Sequence, residues 1–347
     1  MRAAMSSTPR HLVKEMPTIT IGVTTYDRPD FLRECLNSIL AQTYENFDII
    51  IANDFTETPV TFESLGMEED SRIEIINHER NIGAYQNNYF LIEKAAGDWF
   101  TWLADDDLMH PKFLELACEA LVDSDALSFF CGYAAANNPD GIFEAIDEPY
   151  GSLSNMNGPE FIGKYADRTI RAVGSYGVYK RKIIPAISKA PRFGTGLAVY
   201  VDTYIPVIAA SMGPVAYRDV DLIFLRDHTG SQSASSSRLG EYASAQQDFL
   251  EEFRRRCEEM VSRKVFEGWC ASFLWWFAQD DWHVAKRGAD SVAQRIAYFT
   301  RCFWALLRHH AGMRVPLSLY FRVSAMVVLD ALRELATTAR GRKCSRS

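Results

Sequence analysis

The chain has 347 residues, 48% of them hydrophobic and 24% charged, with a formal net charge of −8. This is ordinary globular composition, long enough for one large domain with an appendage or for two domains. The acidic balance gives no support to nucleic acid as a partner.

In chain order, residues 1–15 (MRAAMSSTPRHLVKE) hold no apolar run long enough for a signal peptide and read as a disordered leader. "TITIGVTT" (Thr18–Thr25) is a β-rich run. "DRPDFLRECLNSILAQ" follows, with Phe31, Leu32, Cys35, Leu36, Ile39 and Leu40 at helical spacing, Pro29 in the first turn and Asp27 as its cap. "FDIIIAND" and "RIEIINH" predict two further strands, "GAYQNNYFLIEKAAG" a helix, and "DWFTWLA" a fourth strand that runs into Asp105, Asp106 and Asp107. "PKFLELACEALVDS" is then helical and "ALSFFCGYAAA" a strand. Such alternation predicts βαβ units on a mostly parallel sheet, an α/β fold in which ligands sit beyond the carboxyl ends of the strands. Thr24, Asp54 and the three aspartates all fall at those ends.

The stretch from about Pro139 to Asp227 is less regular, with β-like runs in "GVYK" and "YRDVDLIFL". "HTGSQSASSSRLG" (His228–Gly240) is a loop by composition. Beyond it the chain turns helical, with breaks near Gly288 and at Pro316. The expected organisation is therefore a leader over 1–15, an α/β domain over 16–237 and a helical region over 238–347. From Trp282 to Ser347 there are twelve Lys/Arg against three Asp/Glu, a basic tail on an acidic body. The seven cysteines (Cys35, Cys118, Cys131, Cys257, Cys270, Cys302 and Cys344) are scattered without CxxC spacing. That argues against a zinc site or disulfide framework and for a reducing compartment. No stretch reaches about 18 consecutive apolar residues, so no transmembrane helix is expected. The prediction is a cytoplasmic protein, at most peripheral on the inner face of the cytoplasmic membrane.

Three adjacent carboxylates at the end of a buried strand repel one another and need a partner. A hard divalent cation, Mg2+ or Mn2+, suits them, with the rest of its shell from water and substrate phosphates. The alternative is that they only end the strand and cap the helix after Pro111.

"ITIGVTTYDRPDFLRECLNSILAQTYENFDIIIAND", "NIGAYQNN" and "AAGDWFTWLADDDLMHP" occur in the order seen in family 2 glycosyltransferases, and the chain resembles that family over roughly residues 16–235. The resemblance implies the GT-A fold, here with a C-terminal helical extension, and transfer of one sugar, with inversion, from a nucleoside-diphosphate sugar to the hydroxyl of a glycan or lipid-linked glycan acceptor. It implies that Thr24, Tyr26, Arg28, Asp54, Asn81, Gly83 and Asn87 line the nucleotide-sugar pocket. In place of the commoner D-D-G-S-x-D, this chain carries "NDFTET". Two registers fit the D-x-D motif: counting back from "HP" puts Ala104 at the first position, and the triple run gives Asp105-x-Asp107. On the resemblance, Asp105 lies nearer the ribose and Asp106 or Asp107 meets the metal, joined by His228, with Arg226 countering phosphate charge. The acid matching the general base is Asp202, with Val201 where an acid commonly precedes it. Asp219, Asp221 and Asp227 are the fallbacks. Residues Thr229–Ser237 would form a lid that excludes water.

The aromatic run Trp269, Phe273, Trp275, Trp276 and Phe277 is at helical spacing and reads as core. The segment from Arg295 to Leu335 leaves both a membrane-surface helix pair and a packed helical subdomain or dimer surface open. Two other functions compete. A sugar nucleotidyltransferase would need a G-x-G-T-R-type loop, which the N-terminal region lacks. A catalytically silent glycan-binding or scaffold protein is the reading that Val201 and "NDFTET" keep open.

Overall fold

The computed structural model describes residues 16–55, 57–144, 146, 150–193, 200–228, 239–288, 293–297, 299–300 and 318–329. The predicted leader, the predicted lid and the Pro316 break lie outside them.

β1 (Ile19–Thr25), α1 (Pro29–Leu40), β2 (Phe47–Asn53), α2 (Phe62–Leu65), β3 (Ile73–Asn77), α3 (Ala84–Lys94) and β4 (Trp99–Ala104) follow the predicted alternation. The strands β3-β2-β1-β4 run parallel in that order, with Thr25 of β1 level with Asn53 of β2, and Thr24 level with Ala104 of β4. This register brings the carboxyl ends of three strands to one edge. α1 forms because Leu32, Cys35, Leu36 and Ile39 make one buried stripe, with Pro29 at its start. Its N-cap is Arg28 rather than Asp27, which takes a left-handed φ of 53° and makes no cap bond.

The remainder of the sheet departs from the parallel expectation. β5 (Leu108–Met109), α4 (Phe113–Leu121), β6 (Ser128–Ala136), β7 (Leu153–Met156), α5 (Gly158–Ala166), β8 (Val178–Lys180), α6 (Ile184–Ile187), α7 (Val201–Met212) and β9 (Val215–Arg226) complete the α/β part. β8 inserts antiparallel between β4 and β6, β6 and β9 are parallel, and β5 and β7 pair antiparallel with β9. The result is one mixed nine-stranded sheet.

Two apolar layers cover it. α1 and α4 pack on one face through Leu32, Leu36, Phe113 and Leu121. On the other face, α5 and α7 are joined by α8 (Leu239–Cys257) and α9 (Arg263–Gly288). Phe249 and Phe253 of α8 and Phe273 and Phe277 of α9 are fully buried in the same cluster as Phe161 and Tyr204. The compositional boundary near residue 238 is thus not a boundary in packing. The predicted aromatic run is largely core, with Trp275 and Trp276 half-buried at its edge. The five described cysteines are buried and form no disulfide with one another. No helix among the described residues is long and apolar enough to cross a membrane.

Candidate active site

The site lies where β1, β2 and β4 end. Asp105–Asp107 form the turn between β4 and β5, and each carboxylate meets different neighbours. Asp105 is 1% exposed. It accepts a hydrogen bond from Thr25 Oγ1 at 2.6 Å and pairs with Arg28 at 3.2 Å. Burial pushes its pKa up to about 6, with Arg28 and Thr25 opposing the rise. Asp106 is the most open of the three; its Oδ2 meets Arg28 Nη1 at 2.5 Å and His228 Nε2 at 3.0 Å. Asp107 turns inward, accepting from the Tyr176 hydroxyl and from the Arg226 backbone N–H at 2.8 Å. Burial, reinforced by Asp106, pushes its pKa up to about 7. One Arg28 guanidinium therefore neutralises Asp105 and Asp106 together, which answers the repulsion that the sequence raised.

As a metal site this arrangement offers less than the sequence reading asked of it. Each Asp107 oxygen already accepts one hydrogen bond, from the Tyr176 hydroxyl and from the Arg226 backbone N–H, so Asp106 is the more open of the two metal candidates. Among the described residues no group of three or more His, Cys, Asp and Glu is arranged to hold an ion. Asp106 and His228 do converge, and a carboxylate with an imidazole suits Mn2+ or Mg2+ when substrate phosphates and water complete the shell.

Several of the residues expected in the nucleotide pocket make contacts within the protein. Asp54 is 3% exposed and accepts from the backbone N–H groups of Ile82 and Gly83, both at 2.7 Å. It shapes the loop leading to α3. Asn87 is buried, donating to the Ala52 carbonyl at 2.8 Å and meeting His78 at 2.8 Å. Gly83 is the N-cap of α3 at φ 86°, a value glycine takes without strain. Asn81 accepts from Gly83 N at 2.9 Å and is exposed. The Arg226 guanidinium is engaged within the protein. Its fork donates to Glu34 at 2.5 Å and to the Asp106 carbonyl at 3.0 Å, beneath the Phe31 ring. Open to the cleft remain Tyr26, set edge-on against Phe55, then Arg28, Asn81, Asp106 and His228, with Thr24 half-buried beside them.

Asp202 lies in the first turn of α7 and accepts a hydrogen bond from Ser175 Oγ. Its side chain is exposed and borders a cavity, and the protein packed around it raises its pKa against the pull of Ser175. Ser175 and Tyr176 are consecutive, so one dipeptide contacts both Asp202 and Asp107 and fixes the two acids relative to each other. Of the fallback acids, Asp221 is paired with Arg171 at 2.6 Å. Sequence reasoning missed Thr25, Phe31, Ser175 and Tyr176. Thr25 was reachable from the parallel register, since it stands one residue beyond the Thr24–Ala104 pair.

The mixed nine-stranded sheet flanked by helices is the GT-A fold, as its superposition on solved structures shows. Residues 20–187 match the model for glycosyl transferase family 2, and that region is a family 2 glycosyltransferase domain. The chain is 32% identical over 176 residues to the putative glycosyltransferase EpsH of Bacillus subtilis, covering 50% of this chain and 49% of that one. It is 29% identical over 126 residues to glycosyltransferase GlyG of Streptococcus pneumoniae, covering 36% and 42%. Against an uncharacterized glycosyltransferase of Rickettsia felis the identity is 29%, over 40% of this chain and 21% of the relative. The chain thus spans half or less of these curated relatives. Among solved structures, S. aureus TarS 1–349 superposes with a TM-score of 0.55 at 11% identity, covering 86% of this chain and 92% of that one. Its complex with UDP-GlcNAc gives 0.50 at 14%, covering 85% and 92%.

Proposed function

We propose that this chain is a metal-dependent, inverting glycosyltransferase that moves one sugar from a nucleoside-diphosphate sugar to a glycan or lipid-linked glycan hydroxyl. The observation that carries the reading is the convergence of Asp106 and His228 at the strand edge, with Asp202 tied to the same framework through Ser175–Tyr176. Asp106 and His228 would hold Mn2+ or Mg2+, which when bound neutralises charge on the diphosphate. Arg28, 31% exposed, would give up part of its pairing with the acids to donate to a phosphate oxygen. Tyr26 and Phe55 offer aromatic faces to a nucleobase at the open side.

Asp202 would take the proton of the acceptor hydroxyl. As it does so, the hydroxyl oxygen forms a bond to the anomeric carbon on the face opposite the diphosphate. The bond from that carbon to the diphosphate oxygen breaks, and the diphosphate leaves with the electron pair. A base whose pKa is raised above the ordinary carboxylate value receives the proton more readily than an unperturbed carboxylate. The nucleotide-sugar class is supported by the shared fold of TarS 1–349, solved with UDP-GlcNAc. For location we favour the cytoplasmic side of a membrane surface. Residues 318–329 form a helix with Phe321, Val328 and Leu329 exposed beside Arg322.

The test is a thermal-shift panel of UDP, GDP, dTDP and CMP, each with and without Mn2+. Ligand at a hundred times its Kd stabilises by about 2.7 kcal/mol, a shift of a few degrees. One nucleotide should stabilise the protein only with the metal. Asp202→Asn should keep that shift while sugar transfer falls by roughly 10²–10⁴. No shift with any nucleotide would sink the transferase reading, and near-normal transfer by Asp202→Asn would move the base to another acid.

A further inference from the structure

Asp202 borders a cavity of about 310 Å³, near the lower end of the ~300–1,000 Å³ that small-molecule sites span. Its wall includes Tyr133, Tyr165, Arg168, Arg171 and Trp276. Three aromatic side chains provide flat apolar faces of the kind a sugar ring can lie against. The two guanidinium groups are not equivalent. Asp221 takes Arg171 with both oxygens, at 2.6 and 2.9 Å, so that pair is neutral. Arg168 makes no ion pair among the described residues, and its guanidinium lies 4.3 Å from the centre of the Trp276 ring.

The backbone of Arg168 is itself unusual. It has φ 61°, two residues past the end of α5, in the left-handed region that glycine normally fills after a helix. A long charged side chain held in strained backbone at a cavity wall points to use of that side chain.

We propose that this cavity holds the acceptor, and that the acceptor is a saccharide bearing a carboxylate or phosphate group, bound by Arg168 while its attacking hydroxyl lies at Asp202. The proposal rests on the assignment of Asp202 as the base. It adds that the acceptor is anionic, and it names the residue that reads the charge.

The experiment is calorimetric titration of the full chain, with Mn2+ and UDP present, using two matched pairs: methyl glucuronide against methyl glucoside, and glucose 6-phosphate against glucose. One charged sugar should bind about tenfold or more tighter than its neutral match, as a charge-assisted bidentate contact predicts. The pair that shows the preference distinguishes carboxylate from phosphate. Arg168→Gly should abolish the preference without lowering Tm, because glycine relieves the backbone strain. Arg168→Lys should retain part of it. Equal binding of charged and neutral sugars, no binding by either charged sugar, or a preference that survives Arg168→Gly would each overturn the proposal. The nucleotide panel on the unaltered protein reports separately on the donor site. A charged-sugar preference without nucleotide binding would leave the anion site standing and remove the transferase reading, and nucleotide binding without the preference would remove only the acceptor assignment.

Discussion

Asp106 and Asp107 share a peptide bond but not a neighbourhood, and the difference separates two tasks that the triple aspartate run conceals. Asp106 faces Arg28 and His228 at the mouth of the site. Asp107 is 6% exposed and satisfies two buried donors, the Tyr176 hydroxyl and the Arg226 backbone N–H. Removing a buried acceptor leaves its donors unpaired, at about 1–3 kcal/mol for each. Asp107→Ala should therefore lower stability by about 2–4 kcal/mol in urea unfolding. Asp106→Ala should stay within about 1 kcal/mol, because the pair is part-buried and reaches solvent through Arg28, which retains Asp105. In calorimetry with Mn2+ and the nucleotide picked out by thermal shift, Asp106→Ala should lose metal-dependent binding. If Asp107→Ala proved the harmless substitution and Asp106→Ala the unfolding one, the division of roles would be reversed. Sequence alone could not divide these residues, since their distinguishing partners lie 69 to 122 positions away. Asp106, His228 and Asp202 could be singled out as candidates from sequence because they lie in local motifs. Ser175 and Tyr176 act only through distant contacts and leave no local pattern.

At the scale of elements, the parallel half of the sheet was readable because β1, β2 and β4 are six or seven residues long and almost wholly buried. β5, β7 and β8 have two to four residues, too few to show a period, so the antiparallel insertion of β8 could not be foreseen. The pairing of α8 with α9 carries a further consequence. Asp281 on α9 is 2% exposed; its Oδ1 accepts from Gln246 of α8 at 2.8 Å and its Oδ2 has no partner. Burial, with help from Asp280 and against Gln246, pushes its pKa up to about 7. The folded protein then keeps a proton that the unfolded chain, with an aspartate pKa of about 3.9, has lost. The stability this group contributes is full below about pH 4 and is lost as pH rises to about 7. Asp281→Asn cannot titrate and still offers Gln246 an acceptor. Its stability relative to the unaltered protein should rise by up to about 2–3 kcal/mol between pH 5 and pH 8, then level off. Melting curves across that range check this, and a constant difference between the two proteins would mean that Asp281 does not titrate there.

At the scale of the whole molecule, the sequence suggested a catalytic domain that stops near residue 237 and a separate helical region facing a membrane or partner. The packing argues for a different division. α8 and α9 bury Phe249, Phe253, Phe273 and Phe277 against Phe161, Tyr165 and Tyr204, and Arg256 reaches from α8 to the Tyr204 hydroxyl at 3.3 Å. α9 also supplies Trp276 to the cavity beside Asp202, so the helical region forms part of the wall of the candidate acceptor site. Burying a large apolar side chain is worth about 1.5–3 kcal/mol, and a whole domain is stable by only about 5–15 kcal/mol. Losing four such residues, and exposing the ones they cover, removes most or all of that margin. A chain ending at residue 237 should therefore fail to fold cooperatively. It should bind a hydrophobic dye at room temperature and precipitate on concentration, even though every residue of the family-matched region is present. A soluble fragment that melts in one transition within a few degrees of the full chain would show that the sheet and its first seven helices form a complete core. In that case the helices would be an addition to the fold, and the assignment of Trp276 to the acceptor wall would need separate proof.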